Sequence, residues 1–207
     1  MRKVIKLVLL LSLFFILKKQ VWGLMGPVFE VKEGKGENRP VFAGDVWRQS
    51  FVSPEEEFGA VGIKVSNNNR LNDDFWVFRI KKEEEKDWYF ETRKYITDFQ
   101  EEIFYPFGFP KITGAKGEKF VFEIESEKGK EDNSASVFFS SKDIYTEGEA
   151  YYNDNRTKGD LLFAVYKETP AEKLIVNDFL TKIKQDHNFF LFYFLSLFTL
   201  VSFFRRV

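Results

Sequence analysis

The chain has 207 residues, of which 44% are hydrophobic, and a formal net charge of −1, which suits one domain with appended segments better than two domains. The charge is uneven, because residues 27 to 168 carry 21 Lys/Arg and 29 Asp/Glu whereas residues 1 to 26 carry five basic residues and no acidic one. An acidic middle argues against nucleic acid as a partner, and the absence of cysteine excludes disulfides, thiolate metal sites and cysteine nucleophiles.

The N-terminal segment combines basic residues with a short apolar run at residues 7–17. This pattern is typical of a secretory signal peptide, and the run is short for a spanning helix, which needs roughly 20 residues. Residues 1–23 are therefore predicted to be a signal peptide cleaved after Gly23. An uncleaved membrane anchor and a buried helix of the domain are the alternatives.

The middle of the chain alternates apolar and polar residues with a period of two. In residues 120–125, for example, Phe120, Phe122 and Ile124 face one way. Segments rich in aromatic and β-branched residues in this pattern predict strands. Their number and spacing, with no helical pattern between them, predict that residues 27–168 form an all-β antiparallel sandwich of about eight strands. The candidate strands are residues 46–52, 61–65, 76–80, 87–92, 102–107, 120–125, 136–140, 149–152 and 161–167, and residues 34–40 are expected to be flexible.

Two helical segments are predicted after the sandwich. Thr169, Pro170 and Glu172 form a capping box, so a helix should begin near Pro170. Residues 169–188 are predicted to form an amphipathic helix. Its apolar face is expected to bind a partner helix or, alternatively, to pack on the domain or lie at the lipid surface. The uncharged run at 189–204 is predicted to be a transmembrane helix, with residues 205–207 as a cytoplasmic tail. Its sixteen residues span about 24 Å, so local thinning and snorkelling must cover the remaining bilayer thickness.

Basic residues at both ends predict the orientation in the membrane. Under the positive-inside rule these residues should lie in the cytoplasm. Residues 27–168 are then extracytoplasmic, and the predicted location is the cell membrane, single-pass or anchored at both ends, with membrane lipid as a partner. The basic residues concerned are Arg2, Lys3, Lys6, Arg205 and Arg206.

Several segments of the middle resemble a known module. The clearest are Gln49-Ser50-Phe51-Val52-Ser53 and Gly62-Ile63-Lys64-Val65, which look like the first strands of a jelly-roll module found in bacterial cell-surface membrane proteins. Residues 120–125, 138–145, 148–151 and 159–163 resemble its later strands, so the match covers about residues 46–167. The resemblance implies a jelly-roll-like fold similar to carbohydrate-binding modules and a location at the cell surface. Sugar binding does not follow from the fold alone.

Catalytic and metal chemistry have few candidate residues. His187 is the only histidine, and it lies at the predicted membrane boundary, so triad and histidine-metal sites are not expected. A pair of carboxylates could still serve a glycoside hydrolase, but the acidic residues come in solvated runs, and no enzyme activity is predicted. Asp73, Asp74 and Asp154 provide oxygen ligands for a structural calcium ion, although Asn-Asp-Asn at 153–155 is equally typical of a turn.

Exposed aromatic residues are the predicted ligand-binding groups, because sugar C–H groups stack on aromatic rings while hydroxyls bind polar side chains. The first hypothesis is a non-catalytic extracytoplasmic module that binds a surface glycan or another envelope polymer. The alternative is an accessory or scaffold subunit that contacts another membrane protein through the sandwich and the C-terminal helix. The candidate binding residues are Trp88, Tyr89, Tyr95, Tyr105, Tyr151 and Tyr152.

Overall fold

The computed structural model describes residues 24–32, 36–99 and 103–169. Over these residues the prediction of an all-β antiparallel sandwich with two sheets is confirmed. The predicted signal segment, amphipathic helix, transmembrane helix and cytoplasmic tail lie outside the described residues, apart from Thr169 at the end of the last strand. None of the helices within the described ranges has the length and hydrophobicity needed to cross a bilayer.

Thirteen strands are present in the described part of the chain, more than the eight expected, because several are only two to four residues long. A single 3₁₀ turn at Ile96–Asp98 accompanies them. The strands are β1 (Leu24–Val31), β2 (Glu37–Pro40), β3 (Val46–Val52), β4 (Glu57–Ser66), β5 (Phe75–Lys82), β6 (Phe90–Tyr95), β7 (Ile103–Thr113), β8 (Lys119–Ser126), β9 (Ser136–Ser140), β10 (Ala150–Tyr152), β11 (Asn155–Arg156), β12 (Asp160–Leu161) and β13 (Phe163–Thr169).

The strands form a six-stranded sheet and a seven-stranded sheet. The six-stranded sheet has the order β11-β10-β3-β8-β5-β6. The seven-stranded sheet runs β1-β13-β4-β9-β12, with β7 also paired to β4 and β2 also paired to β9. The strand pairs formed among β2 to β13 are antiparallel, as expected for a sheet with one face towards the core and one towards solvent.

The seven-stranded sheet divides at Leu162. One edge of β4 pairs with β13 through residues 60–63 and with β9 through residues 65–66. Between these pairings the Leu162 carbonyl accepts from the Lys64 N–H at 2.8 Å, and the Leu162 N–H donates to the Phe138 carbonyl at 2.9 Å. This fork places β2, β9 and β12 side by side.

Aromatic rings from both sheets fill the core between them. Alternate residues of each strand point inward because the side-chain period is two. Phe78 of the six-stranded sheet stacks on Phe107 of the other sheet at a centroid distance of 4.7 Å, and Phe122 meets Phe163 edge-on at 5.5 Å. All four side chains are fully buried, and each such ring pair adds about 0.5–1.5 kcal/mol beyond the burial of area.

Three expectations about individual segments were wrong. Residues 37–40 are not a flexible stretch but strand β2, because β9 offers them an unpaired edge. Asn155, expected within the turn at 153–155, instead pairs with Tyr152 and forms β11 together with Arg156. The strand expected at residues 87–92 begins at Phe90 instead, because Phe90–Tyr95 is the segment in register with β5.

Candidate functional site

The six predicted aromatic residues are scattered over the sandwich. Tyr89 and Tyr152 are the two exposed members, at 47% and 36%, while the other four are partly buried. Tyr105 packs against Phe99 at 4.5 Å and belongs to the edge of the core, where burial raises its pKa above the ordinary value. Tyr89 donates a hydrogen bond to the Pro110 carbonyl at 3.2 Å.

The other predicted aromatic residues also have partners within the protein. Trp88 lies under the ammonium group of Lys81, which is 5.0 Å from the ring centroid, and Tyr95 packs on Phe75 at 4.8 Å. Tyr151 donates from its hydroxyl to Glu149 at 2.5 Å. Tyr151 and Tyr152 are neighbours on β10. Because successive strand residues point to opposite faces of a sheet, their rings do not form one binding surface.

Tyr152 lines a cavity of about 530 Å³, which we call the aromatic groove. Its lining comes from both sheets: Tyr152 and Trp47 lie on the six-stranded sheet, and Phe139 lies on the seven-stranded sheet. Phe42, which is 38% exposed, completes the aromatic lining. The volume falls within the roughly 300–1,000 Å³ range of small-ligand sites.

A tight turn before β3 presents Phe42 at the groove. The Asp45 N–H donates to the Phe42 carbonyl at 2.9 Å, and Gly44 adopts a φ of +83°. A positive φ at the third turn position is the hallmark of a type II turn and favours glycine. The Asp45 carboxylate closes the turn by accepting from the Phe42 N–H at 2.8 Å through Oδ2, so the Phe42 backbone is fixed.

The same carboxylate positions Tyr152. Asp45 Oδ1 accepts from the Tyr152 hydroxyl at 2.6 Å, and this hydrogen bond, with a smaller contribution from burial, raises the Tyr152 pKa above its ordinary value. The Tyr152 ring packs on Trp47 with centroids 4.9 Å apart, and Trp47 in turn packs on Phe139 at 5.4 Å. One carboxylate thus holds two exposed aromatic residues from separate segments.

A two-residue hairpin follows Tyr152. Tyr152 pairs with Asn155 across β10 and β11, and Asn153 and Asp154 between them have φ values of +47° and +64°. Two successive positive φ values indicate a type I′ turn, for which Asn and Asp are favoured residues. Asn153 also accepts from the Val46 N–H at 2.8 Å through its side chain, which joins the hairpin to the start of β3.

Charged side chains surround the groove, and most of them have partners. Both Asp45 oxygens accept hydrogen bonds, and Arg39 pairs with Glu37. Lys158 also lines the groove, and it has no hydrogen bond or ion pair with any other residue that the structure describes. The groove therefore offers a bound molecule aromatic faces together with one cation that has no partner in the described protein.

The residues predicted as calcium ligands are not gathered into one site. Asp74 is buried and accepts from the Phe75 N–H, the Lys128 N–H and the Ser126 hydroxyl, all at 2.7 Å. Asp154 pairs with Arg48 and is 80% exposed. Within the described ranges no group of three or more Asp, Glu, His or Cys side chains is placed to hold a metal. Calcium binding stays a prediction.

The outer face of the six-stranded sheet carries a row of alternating charges, which we call the charge ladder. The register sets Arg48, Glu123, Arg79 and Glu91 side by side on four strands. Arg48 and Arg79 donate to opposite oxygens of Glu123 at 2.5 and 2.7 Å. Burial lowers the Arg79 pKa, but hydrogen bonds with carboxylates outweigh this effect and hold the pKa above its ordinary value. The ladder is internally neutralised, so it offers a ligand little unpaired charge.

Phe42, Trp47, Asp45 and Lys158 are groove residues that the sequence analysis did not predict. The sequence Phe42-Ala43-Gly44-Asp45 contained a signal for Phe42, because glycine in the third position is typical of a type II turn. Such a turn would leave Phe42 just outside a strand. The contacts between Tyr152 and Asp45 and between Tyr152 and Trp47 join residues about a hundred positions apart. No local pattern indicates such contacts.

Comparison with known proteins adds no relative: no protein-family model matches the chain, and no curated protein is significantly similar to it. The two antiparallel sheets are compatible with the jelly-roll-like fold that the sequence resemblance implies.

Proposed function

We propose that the chain is a non-catalytic, membrane-anchored binding module with a jelly-roll-like fold, whose aromatic groove binds a cell-surface glycan or a related envelope polymer. The single observation that supports this function best is the pair of exposed rings, Phe42 and Tyr152, held at one cavity by Asp45. Single exposed apolar residues are common on protein surfaces, whereas several aromatic rings that line one cavity together with a few polar groups are typical of a ligand site.

The groove suits a sugar in its combination of groups. The apolar C–H face of a pyranose ring stacks on Phe42 or Tyr152, while its hydroxyls bind the polar side chains around the groove. The Asp45 hydrogen bonds to both segments exist without ligand. Binding therefore loses little side-chain and loop entropy, which raises affinity for a given set of contacts.

Membrane anchoring is the second part of the proposal. The basic and apolar segments at both ends of the chain support it. An anchored module stays at the cell surface, so several copies act together on a repeating polymer and the overall affinity exceeds that of a single groove.

The test compares two exposed tyrosines. The full chain, purified in mild detergent, is applied to an array of bacterial and plant cell-wall glycans, and its affinity for a bound glycan is then measured by calorimetry. Tyr152→Ala should weaken binding about tenfold or more, since an aromatic contact at the centre of a site contributes roughly 1–2 kcal/mol. Tyr89→Ala is the matched control, because Tyr89 is at least as exposed but lies outside the groove.

Two outcomes would contradict the proposal. One is the absence of saturable binding to every glycan by a chain that unfolds cooperatively, which would favour the scaffold hypothesis. The other is an equal loss of affinity in Tyr152→Ala and Tyr89→Ala. Tyr152→Phe separates stacking from positioning, because it keeps the ring and removes only the hydrogen bond to Asp45.

A further inference from the structure

A second depression adjoins the aromatic groove. Its volume is about 330 Å³, and Glu149, Arg156 and Asp160 contribute to its lining. Thr157 and Lys158 line both this depression and the groove. The two cavities therefore share the Thr157–Lys158 segment as part of their walls.

The segment between the cavities is held firmly by its backbone. The Thr157 N–H donates to the Ala150 carbonyl at 2.9 Å, and the Thr157 hydroxyl donates to the Gly159 carbonyl at 2.8 Å. Gly159 packs so closely on the next strand that an added Cβ would lie 1.8 Å from the Ser140 carbonyl oxygen. The backbone on both sides of Lys158 is thus fixed, and its exposed side chain extends from a defined position.

The charges at the two cavities differ in how they are satisfied. In the second depression Glu149 pairs with Arg156 at 2.9 Å, and Asp160 accepts two backbone N–H bonds. Lys158 and Asp143 have neither a hydrogen bond nor an ion pair among the described residues. The cation thus stands at the junction, and the carboxylate lines the second depression.

We infer that the groove and the second depression form one extended site for an oligosaccharide of at least two units, with an anionic group bound by Lys158. This inference rests on the proposed function and specifies its ligand. A sugar unit stacks in the groove, its neighbour lies in the second depression, and a carboxylate near the linkage forms a charge-assisted hydrogen bond with the Lys158 ammonium. Asp143 repels further negative charge, so a polymer that alternates acidic and neutral units fits better than one with an acid on every unit.

The experiment uses three defined probes with the full chain in detergent: oligomers of N-acetylglucosamine, oligomers of galacturonate, and oligosaccharides that alternate glucuronate with N-acetylglucosamine. Affinity should rise from the monosaccharide to the tetrasaccharide and be highest for the alternating probe. Lys158→Gln should weaken binding of the alternating tetrasaccharide about tenfold and that of the neutral tetrasaccharide much less, because only the alternating probe carries a carboxylate for the Lys158 ammonium. Lys116→Gln is the control, because Lys116 is an exposed lysine outside both cavities.

The outcomes separate this inference from the proposed function. If neutral oligomers bind through Tyr152 but affinity does not grow with length, or if Lys158→Gln changes no affinity, the extended anionic site is wrong and the aromatic groove stands. If none of the three probe series binds a folded chain, the extended anionic site is overturned, while the proposed function is decided by binding of the chain to the wider glycan array.

Discussion

Asp45 organises the aromatic groove because its two carboxylate oxygens bind separate segments. One oxygen accepts from the Phe42 N–H and the other from the Tyr152 hydroxyl. A negative acceptor favours the protonated phenol, and hydrogen bonding to Asp45 is the largest cause of the raised Tyr152 pKa. Asp45 is therefore a positioning residue whose effect on Tyr152 can be measured without any ligand.

The Asp45→Asn variant tests whether the Asp45 carboxylate holds Tyr152 in solution. Removal of the negative charge should lower the Tyr152 pKa towards its ordinary value of about 10. The measurement is a pH titration of tyrosine ring signals by NMR with ¹³C-labelled tyrosine, in which Tyr152→Phe identifies the Tyr152 signal. An unchanged Tyr152 titration in Asp45→Asn would mean that the hydrogen bond does not persist in solution, and the groove would lose its fixed geometry.

Of the residues that line the groove, the sequence predicted Tyr152 alone. Tyr152 was a candidate because tyrosine is a typical sugar-stacking residue. Phe42 was not, because phenylalanine occurs 26 times in the chain and most of its copies serve cores or apolar segments. The exposure of Phe42 depends on the tight turn that Asp45 closes. The second role of Asp45 depends on its hydrogen bond with Tyr152, which lies more than a hundred residues away in the sequence.

At the scale of elements, the charge ladder joins four strands of the six-stranded sheet. Glu123 is its central member, with a side chain 5% exposed between Arg79 and Arg48, which are 19% and 34% exposed. A buried carboxylate between two guanidinium groups is favourable only while all partners remain. Removal of its charge leaves two partly buried cations with a weaker acceptor.

Glu123→Gln should therefore reduce the free energy of unfolding by about 2 kcal/mol or more, the range for loss of a partner from a buried charged hydrogen bond. Glu91→Gln is the matched control at the end of the same ladder. The Glu91 side chain is 57% exposed, and solvent screening limits its expected cost to roughly 0.5 kcal/mol. Urea unfolding followed by circular dichroism measures both values, and equal costs for the two variants would contradict the central role of Glu123.

Strands with strong period-two patterns were predictable, and strands formed by pairing alone were not. Residues 46–52 and 136–140 were predicted with the bounds that β3 and β9 have. In contrast, β2 is polar, contains a proline and is exposed at all four residues. Nothing in its own sequence favours a strand; it is one because it pairs with β9. The fork at Leu162 likewise splits one predicted strand, residues 161–167, into β12 and β13.

At the scale of the whole molecule, a polar link connects the two sheets through the core. Asp160 lies on β12 of the seven-stranded sheet, and Gln49 lies on β3 of the six-stranded sheet. Gln49 donates to Asp160 Oδ1 at 3.2 Å and accepts from the Leu161 N–H at 3.0 Å. Asp160 Oδ2 also accepts from the N–H groups of Ile144 and Tyr145, so one carboxylate fixes the β9–β10 connection against both sheets.

Because the Asp160 carboxyl is buried in this link, the free energy of unfolding should depend on its protonation. Burial raises the Asp160 pKa, and the hydrogen bonds it accepts offset this effect only in part. The folded chain thus binds a proton at Asp160 at a higher pH than the unfolded chain does. It follows that the contribution of Asp160 to stability is fully present below its unfolded pKa of about 3.9 and is lost as the pH rises through the raised folded value.

Asp160→Asn removes this titration, and its effect should therefore depend on pH. Relative to the variant, the wild-type chain should gain free energy of unfolding as the pH falls through the interval between the folded pKa and about 3.9. Urea unfolding of both proteins at a series of pH values measures the difference, in which the contributions of carboxylates common to both chains cancel. Asp143→Asn is the control, since Asp143 is exposed and supplies only the smallest cause of the Asp160 shift. A difference that is constant across this interval would mean that the hydrogen bonds to Asp160 balance its burial, and one that shrinks as the pH falls would mean that they outweigh it.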